Sequence, residues 1–205
     1  MYRLQKLNLL LLLFTVLLTN CKKDDLQPSA KKELLKDNYI SGTDTSWKFL
    51  SRSSYNTDEN TKIYSGEVSK VSFTSYPNSL KITSSQIYEG LGVVGGSWFQ
   101  ELRMPSIPKG ANLLLKAKIK VENVEGEGAA ISYHALTNDR KTENDYDSTE
   151  GLFDITGTND FKEYTLKIAD YTEEFGPNEV IIINLHLLPH TKGTVYFDDI
   201  SFVIE

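Results

Sequence analysis

From Asn38 onward the chain is a succession of short apolar or alternating runs, separated by clusters of Gly, Pro, Asn and Asp. That texture belongs to β-strands joined by turns. No stretch in this region keeps the helical period of about 3.6 residues. The runs predict strands over Lys62–Glu67, Lys70–Ser75, Ser79–Ile82, Ser97–Arg103, Leu113–Val121, Ala129–Leu136, Glu150–Thr156, Lys162–Ile168, Val180–Leu188 and Thr194–Ile204. The connections at 105–110 (PSIPKG), 125–128 (EGEG) and 157–160 (GTND) carry turn chemistry, since Gly, Pro, Asn and Asp suit the dihedral angles of tight turns. Tyr171–Glu174 reads as one helical turn.

Alternation shows which faces are buried. Successive side chains of a strand point to opposite faces. Leu113, Leu115, Ala117, Ile119 and Val121 therefore share one face, opposite Lys116, Lys118, Lys120 and Leu114. Likewise Ile181, Ile183, Leu185 and Leu187 oppose Ile182, Asn184, His186 and Leu188. Ten such strands over residues 38–205 predict an all-β, two-sheet antiparallel sandwich around one core.

Composition narrows the function classes. The 205 residues carry a formal charge of −6, with no basic block. Nucleic-acid binding needs clustered Lys and Arg to displace counterions, so no nucleic-acid partner is expected. A single cysteine excludes an internal disulfide framework and a Cys-based structural zinc site.

That cysteine follows a distinctive leader. Arg3 and Lys6 give a short positive region, and Leu7 to Leu18 form an apolar run broken only by Asn8 and Thr15. The run suits a secretory signal and is short for a membrane span of about 20 residues. Leu18-Thr19-Asn20-Cys21 resembles the lipobox of bacterial lipoproteins, in which the cysteine becomes the lipidated first residue. Lys22-Lys23-Asp24-Asp25 is similar to the export signal of Bacteroidetes lipoproteins. The resemblance implies a signal peptide over 1–20, lipidation at Cys21 and an outer-membrane protein facing the cell exterior. Residues 21–37 then read as a flexible tether, with one helical turn around Lys32 to Lys36, ahead of the 38–205 domain. Removing the leader takes away two cations and no acids, so the exported chain would carry −8.

The C-terminal run Gly193-Thr194-Val195-Tyr196-Phe197-Asp198-Asp199-Ile200-Ser201-Phe202 resembles the last strand of carbohydrate-binding-module jelly rolls of the galactose-binding-like type. Asn38 to Trp47 (NYISGTDTSW), Ser79-Leu80-Lys81-Ile82, Lys109-Gly110 before Leu113–Val121, and Phe161 to Leu166 (FKEYTL) fall in that family's order. The resemblance implies a jelly roll. It also implies a structural calcium held by Asp198 and by Asp44 of the opening loop, because calcium takes six to eight hard oxygen ligands.

Candidate ligand residues follow from sugar chemistry. A sugar ring packs its C–H face on Trp or Tyr and pairs its hydroxyls with amides, imidazoles and charged groups. Trp98, Gln100 and Arg103 lie on one strand, Arg103 alternating away from the other two. Asn184 and His186 share a face of theirs, as do Ser132 and His134. Tyr146 sits at the centre of the polar run Thr137–Thr149, which reads as a rim loop. His134 and His186 have no third ligand at zinc spacing.

Three readings follow. The first is a non-catalytic surface lipoprotein that captures polysaccharide or oligosaccharide. The second is a structural or adhesion lipoprotein that binds no sugar. The third is a polysaccharide lyase or glycoside hydrolase, for which Glu101 is the only acid central in a candidate inner strand. Glycosidases need a second carboxylate across the scissile bond.

Overall fold

The computed structural model describes residues 31–36, 40, 46–53, 63–75, 77–89, 94–103, 105–137, 139–141, 143–171 and 180–205. Among them the chain is all β, without helix, in eleven strands: β1 (Lys32–Glu33), β2 (Lys48–Ser53), β3 (Tyr64–Ser69), β4 (Ser79–Ser84), β5 (Val94–Arg103), β6 (Ala111–Glu125), β7 (Ala129–Leu136), β8 (Glu143–Ser148), β9 (Gly157–Tyr171), β10 (Val180–Leu187) and β11 (Lys192–Ile204). One sheet runs β3-β4-β11-β6-β9, with β1 also on β11, and the other runs β2-β5-β10-β7-β8. Every pairing is antiparallel. The result is the two-sheet antiparallel sandwich that the alternation predicts.

The core lies where the period of two places it. Leu113, Leu115, Ala117, Ile119 and Val121 of β6 are buried, and so are Ile181, Ile183, Leu185 and Leu187 of β10. Ile82, Phe197 and Phe202 fill the space between the sheets, and the Tyr133 and Phe202 rings pack with centroids 6.0 Å apart. Lys116, Lys118 and Lys120 stand on the opposite face of β6, paired with Glu163, Asp199 and Glu122 at 3.1, 2.6 and 3.0 Å. Exposed pairs of this kind contribute about 0–1 kcal/mol each, so the apolar face holds the sheet in place. On β11, burial and then the hydrogen bond to the Glu122 carboxylate push the Tyr196 hydroxyl up to about 12, and it remains a neutral donor.

The aspartate pair of the last strand makes a bend. Asp198 stands opposite Lys118 but Ser201 stands opposite Lys116, so β11 carries one extra residue there. Asp199 takes a left-handed φ of 47°, which Asp tolerates better than most residues. This β-bulge divides the strand. Before it, Gly193 to Phe197 pair with β4; after it, Val203 and Ile204 pair with β1. The Asp198 carboxylate spans the gap. It accepts from the Thr74 and Ser75 N–H groups, from the Thr74 hydroxyl at 3.0 Å and from the Asp199 N–H at 2.8 Å.

Several sequence-based expectations change. Lys70–Ser75 is not a strand, because its last two N–H groups turn towards Asp198. Glu150–Thr156 is turn and coil, whereas Glu143–Ser148, expected to be loop, is strand β8. Lys32–Glu33 is a strand, not a helical turn. One Glu33 carboxylate oxygen accepts from the N–H groups of Leu34, Leu35 and Phe202, each at 3.0 Å. Leu35 is buried and Lys32 and Glu33 pair with β11, so these residues of the expected tether belong to the sandwich. Residues 172–174 of the expected helical turn lie outside the described residues, and Tyr171 closes β9.

Hydrogen bonds to a charged group contribute about 1.5–3 kcal/mol each. Asp198→Asn is therefore expected to lower the unfolding free energy by about 2–3 kcal/mol. Asp199→Asn, whose side chain meets part-exposed partners, should cost less than about 1 kcal/mol. Urea denaturation followed by tryptophan fluorescence measures both, and equal losses would contradict the distinct role of Asp198.

Candidate functional site

In the second sheet, strand register decides which face each side chain takes. β10 lies between β5 and β7, and β8 pairs with β7 at the edge. His186 stands opposite Ser97 and Ala130, Asn184 opposite Phe99 and Ser132, and His134 opposite Ile182 and Tyr146. With Ile181, Ile183 and Leu185 in the core, these alternate positions form the outer face.

An open cleft of about 290 Å³ lies on this face, lined by Ser97, His134, Glu143, Tyr146, Glu150 and His186 together with Leu187, Leu188 and Pro189. Both ring nitrogens of His186 are engaged: Nδ1 is 2.6 Å from the Ser97 hydroxyl and Nε2 is 2.8 Å from the Ser132 hydroxyl. A hydroxyl can donate or accept, so the two serines hold the ring at both nitrogens. His134 Nδ1 lies 2.9 Å from the Glu143 carboxylate, and its ring tilts 50° against Tyr146 at a centroid distance of 4.6 Å. Tyr146 is 46% exposed, so a side chain braced by His134 also meets solvent. Glu143 and Glu150 give the cleft acidic character, and no Lys or Arg is among its described lining residues.

The wall is braced from behind. The Tyr64 hydroxyl sits 3.1 Å from both the Leu188 and Thr191 carbonyls. Burial pushes its pKa up, which keeps it a neutral donor. Gly95 lets the β10–β11 connection approach, since a Cβ there would lie 3.2 Å from the Leu187 carbonyl and 3.4 Å from the Pro189 nitrogen.

The structure brings His134, Tyr146 and His186 into the cleft, and Asn184 lies on the same sheet face. Asn184 is fully buried, and neither its amide nitrogen nor its oxygen finds a partner among the described residues. Arg103 is on this face but is engaged with Glu101 at 2.6 Å; Glu101 also bonds Arg140. Arg103 is not among the described residues that line the cleft.

Trp98 and Gln100 are corrections to the expected ligand set. Trp98 stands opposite Leu185 and Gln100 opposite Ile183, so both point inward. Trp98 is buried, packs on Phe49 at 5.4 Å and donates to the Lys81 carbonyl at 3.0 Å. Gln100 accepts from the Lys36 N–H at 2.7 Å and donates to the Ser46 hydroxyl at 2.9 Å, tying down the N-terminal segment. Cys21 and Asp44 lie outside the described residues. Among the described residues, no group of three His, Cys, Asp or Glu side chains could hold a metal ion. Sequence reasoning missed Ser97, Glu143, Glu150 and Tyr64, although Ser97 and His186 share the alternation that places them on one face.

The chain matches no family model and no curated protein. Solved structures share its fold. The Stig cyclase Fisc from Fischerella sp. TAU aligns at a TM-score of 0.54 and 16% identity, over 86% of this chain and 98% of that one. The enzymatically active domain of tailspike protein 4 from bacteriophage CBA120 aligns at 0.53 and 12% identity, over 78% of this chain but only 20% of that one. TmCBM61, in complex with β-1,4-galactotriose, aligns at 0.50 and 13% identity, over 85% of this chain and 99% of that one. The shared property is the β-sandwich architecture of carbohydrate-binding modules, which carries several unrelated activities.

Inward and outward positions make opposite predictions for stability. Trp98→Ala is expected to cost about 3–5 kcal/mol, as for a large core residue. Asn184→Leu should leave stability unchanged or raise it, because it removes a buried amide that finds no partner among the described residues. Thermal unfolding of the two variants measures the contrast, and a folded, unshifted Trp98→Ala protein would contradict the inward placement.

Proposed function

We propose that the chain is a non-catalytic, lipid-anchored protein of the outer membrane, facing the cell exterior, whose jelly roll captures polysaccharide or oligosaccharide. The observation that carries this reading is the cleft of about 290 Å³ in which a half-exposed Tyr146 ring stands beside two imidazoles and two carboxylates. Ligand sites of roughly 300–1,000 Å³ commonly combine an apolar surface with a few placed polar groups. Here the C–H face of a sugar packs on Tyr146, while Glu143 and Glu150 accept hydrogen bonds from its hydroxyls. His186, held between two serines, presents a fixed ring edge. With carboxylates and no described cation in the lining, the cleft favours uncharged sugars over uronates. TmCBM61, of the same architecture, holds a galactotriose. The lipobox-like Leu18 to Cys21 supports anchoring, because each buried methylene of an acyl chain contributes about 0.8 kcal/mol.

A second reading rests on the paired carboxylates. Glu143 and Glu150 line one cleft, as the two acids of a glycoside hydrolase do. Release of reducing or unsaturated sugar by the purified protein, lost in Glu150→Gln, would favour it over simple capture.

Affinity electrophoresis through gels of neutral and uronate polysaccharides tests capture. Retardation in at least one neutral gel, weakened tenfold or more by Tyr146→Ala and by His186→Ala and absent from polygalacturonate, is the expected result. Free migration in every gel would reject the reading. Anchoring has its own measurement: palmitate label should enter the wild-type chain in a bacterial host that processes lipoproteins and be absent from Cys21→Ser.

A further inference from the structure

The cleft does not end at the edge strand. A second depression of about 550 Å³ lies beyond β8, lined by Tyr146, Asp147, Ser148, Glu150, Gly151 and Leu152. Tyr146 and Glu150 line both spaces. The two spaces therefore adjoin at Tyr146 and Glu150.

The floor of the second depression is a held turn. The Thr149 carbonyl accepts from the Leu152 and Phe153 N–H groups at 3.1 and 3.3 Å. Thr149 itself is fully buried, and its hydroxyl accepts from the Ile131 N–H of β7 at 2.9 Å. The Thr149 N–H donates to the Ile131 carbonyl at 3.0 Å. Glu150 N–H donates to the Ser148 hydroxyl at 3.0 Å, which braces the same corner. Gly151 takes a φ of +73° and has nothing within 4 Å of the position a Cβ would occupy, so the surface there is open. On this braced turn Leu152 is 65% exposed and Phe153 43%, although Phe153 packs its edge on Tyr164 at 5.5 Å. Single exposed apolar residues are ordinary. What distinguishes this pair is its place: an apolar step immediately past the aromatic ring of a cleft, on backbone that is already ordered. Preorganised backbone lowers the entropy lost when a ligand is held.

Resting on the glycan reading above, we propose that the groove is bipartite. The turn Ser148–Leu152 is a second sugar subsite, so the protein grips at least two consecutive rings of an uncharged glycan. The inner ring lies in the cleft over the outer face of β10 and β7. The linkage crosses at Tyr146, and the next ring rests its C–H face on Leu152. Asp147 and Glu150 are the acceptors nearest the outer ring, which again disfavours an anionic sugar at that position.

Titration calorimetry of the purified chain with β-1,4-linked galacto-, gluco- and xylo-oligosaccharides of one to four rings tests the second subsite. In the series that binds, affinity should rise at least tenfold from one ring to two. Leu152→Ser should erase that gain while leaving single-ring binding and the thermal midpoint unchanged; its side chain is exposed, so folding is not at risk. Tyr146→Ala should weaken every length. Equal affinity for one ring and for longer chains, or a Leu152→Ser protein that keeps the full gain, would overturn the second subsite and leave the glycan reading standing. No heat and no competition from any sugar at any length would overturn both.

Discussion

The central position of β10 governs what this molecule presents to its surroundings. Paired on both sides, by β5 and β7, the strand can turn only one face to the other sheet. Ile181, Ile183, Leu185 and Leu187 take that face, and a slip of one residue would bring Ile182, Asn184 and His186 into the core instead. Four large aliphatic side chains, each contributing about 1.5–3 kcal/mol on burial, make that slip prohibitive. His186 and Asn184 are thus held outward by the burial of their neighbours. The cleft is a consequence of how the core closes.

The same logic holds at the other sheet, where β11 must serve two partners along one edge. The bulge at Asp198 and Asp199 lets it pair first with β4 and then with β1. Asp198 supplies acceptors for a turn that would otherwise leave N–H groups unpaired at the junction. Glu33 performs a comparable task on the short N-terminal strand. Both carboxylates accept from backbone N–H groups where the chain changes direction.

How much of this the sequence displayed depends on the kind of signal. Ala129–Leu136 has the boundaries its alternation suggests, and β6 and β10 differ only at their ends, because apolar residues every second position leave one stable orientation. β8 was invisible for the opposite reason. ENDYDS has no apolar face, and its pairing to β7 rests on backbone hydrogen bonds and on Tyr146 packing against His134. β1 has only two residues and depends on a glutamate reaching a strand almost the whole chain away. Among the site residues, the parity of His134 and His186 was legible. Trp98 and Gln100 misled because their residue types suit sugar binding, whereas their parity, shared with Leu102, places them in the core. Side-chain chemistry nominated them and the strand period overruled it.

The acids of β8 also explain why a cleft can exist at this edge at all. An edge strand exposes unpaired backbone donors and acceptors, which invite another chain to add a strand. Glu143, Asp145 and Asp147 place charge along that strand and oppose such pairing. Charges that oppose such pairing are therefore already beside the half-exposed Tyr146 ring. Glu143 braces His134, and Glu150, just past the strand, lines the cleft and the depression beyond it. A strand with little to offer the core is the strand most free to line a cleft, and that freedom left it without a periodic signature.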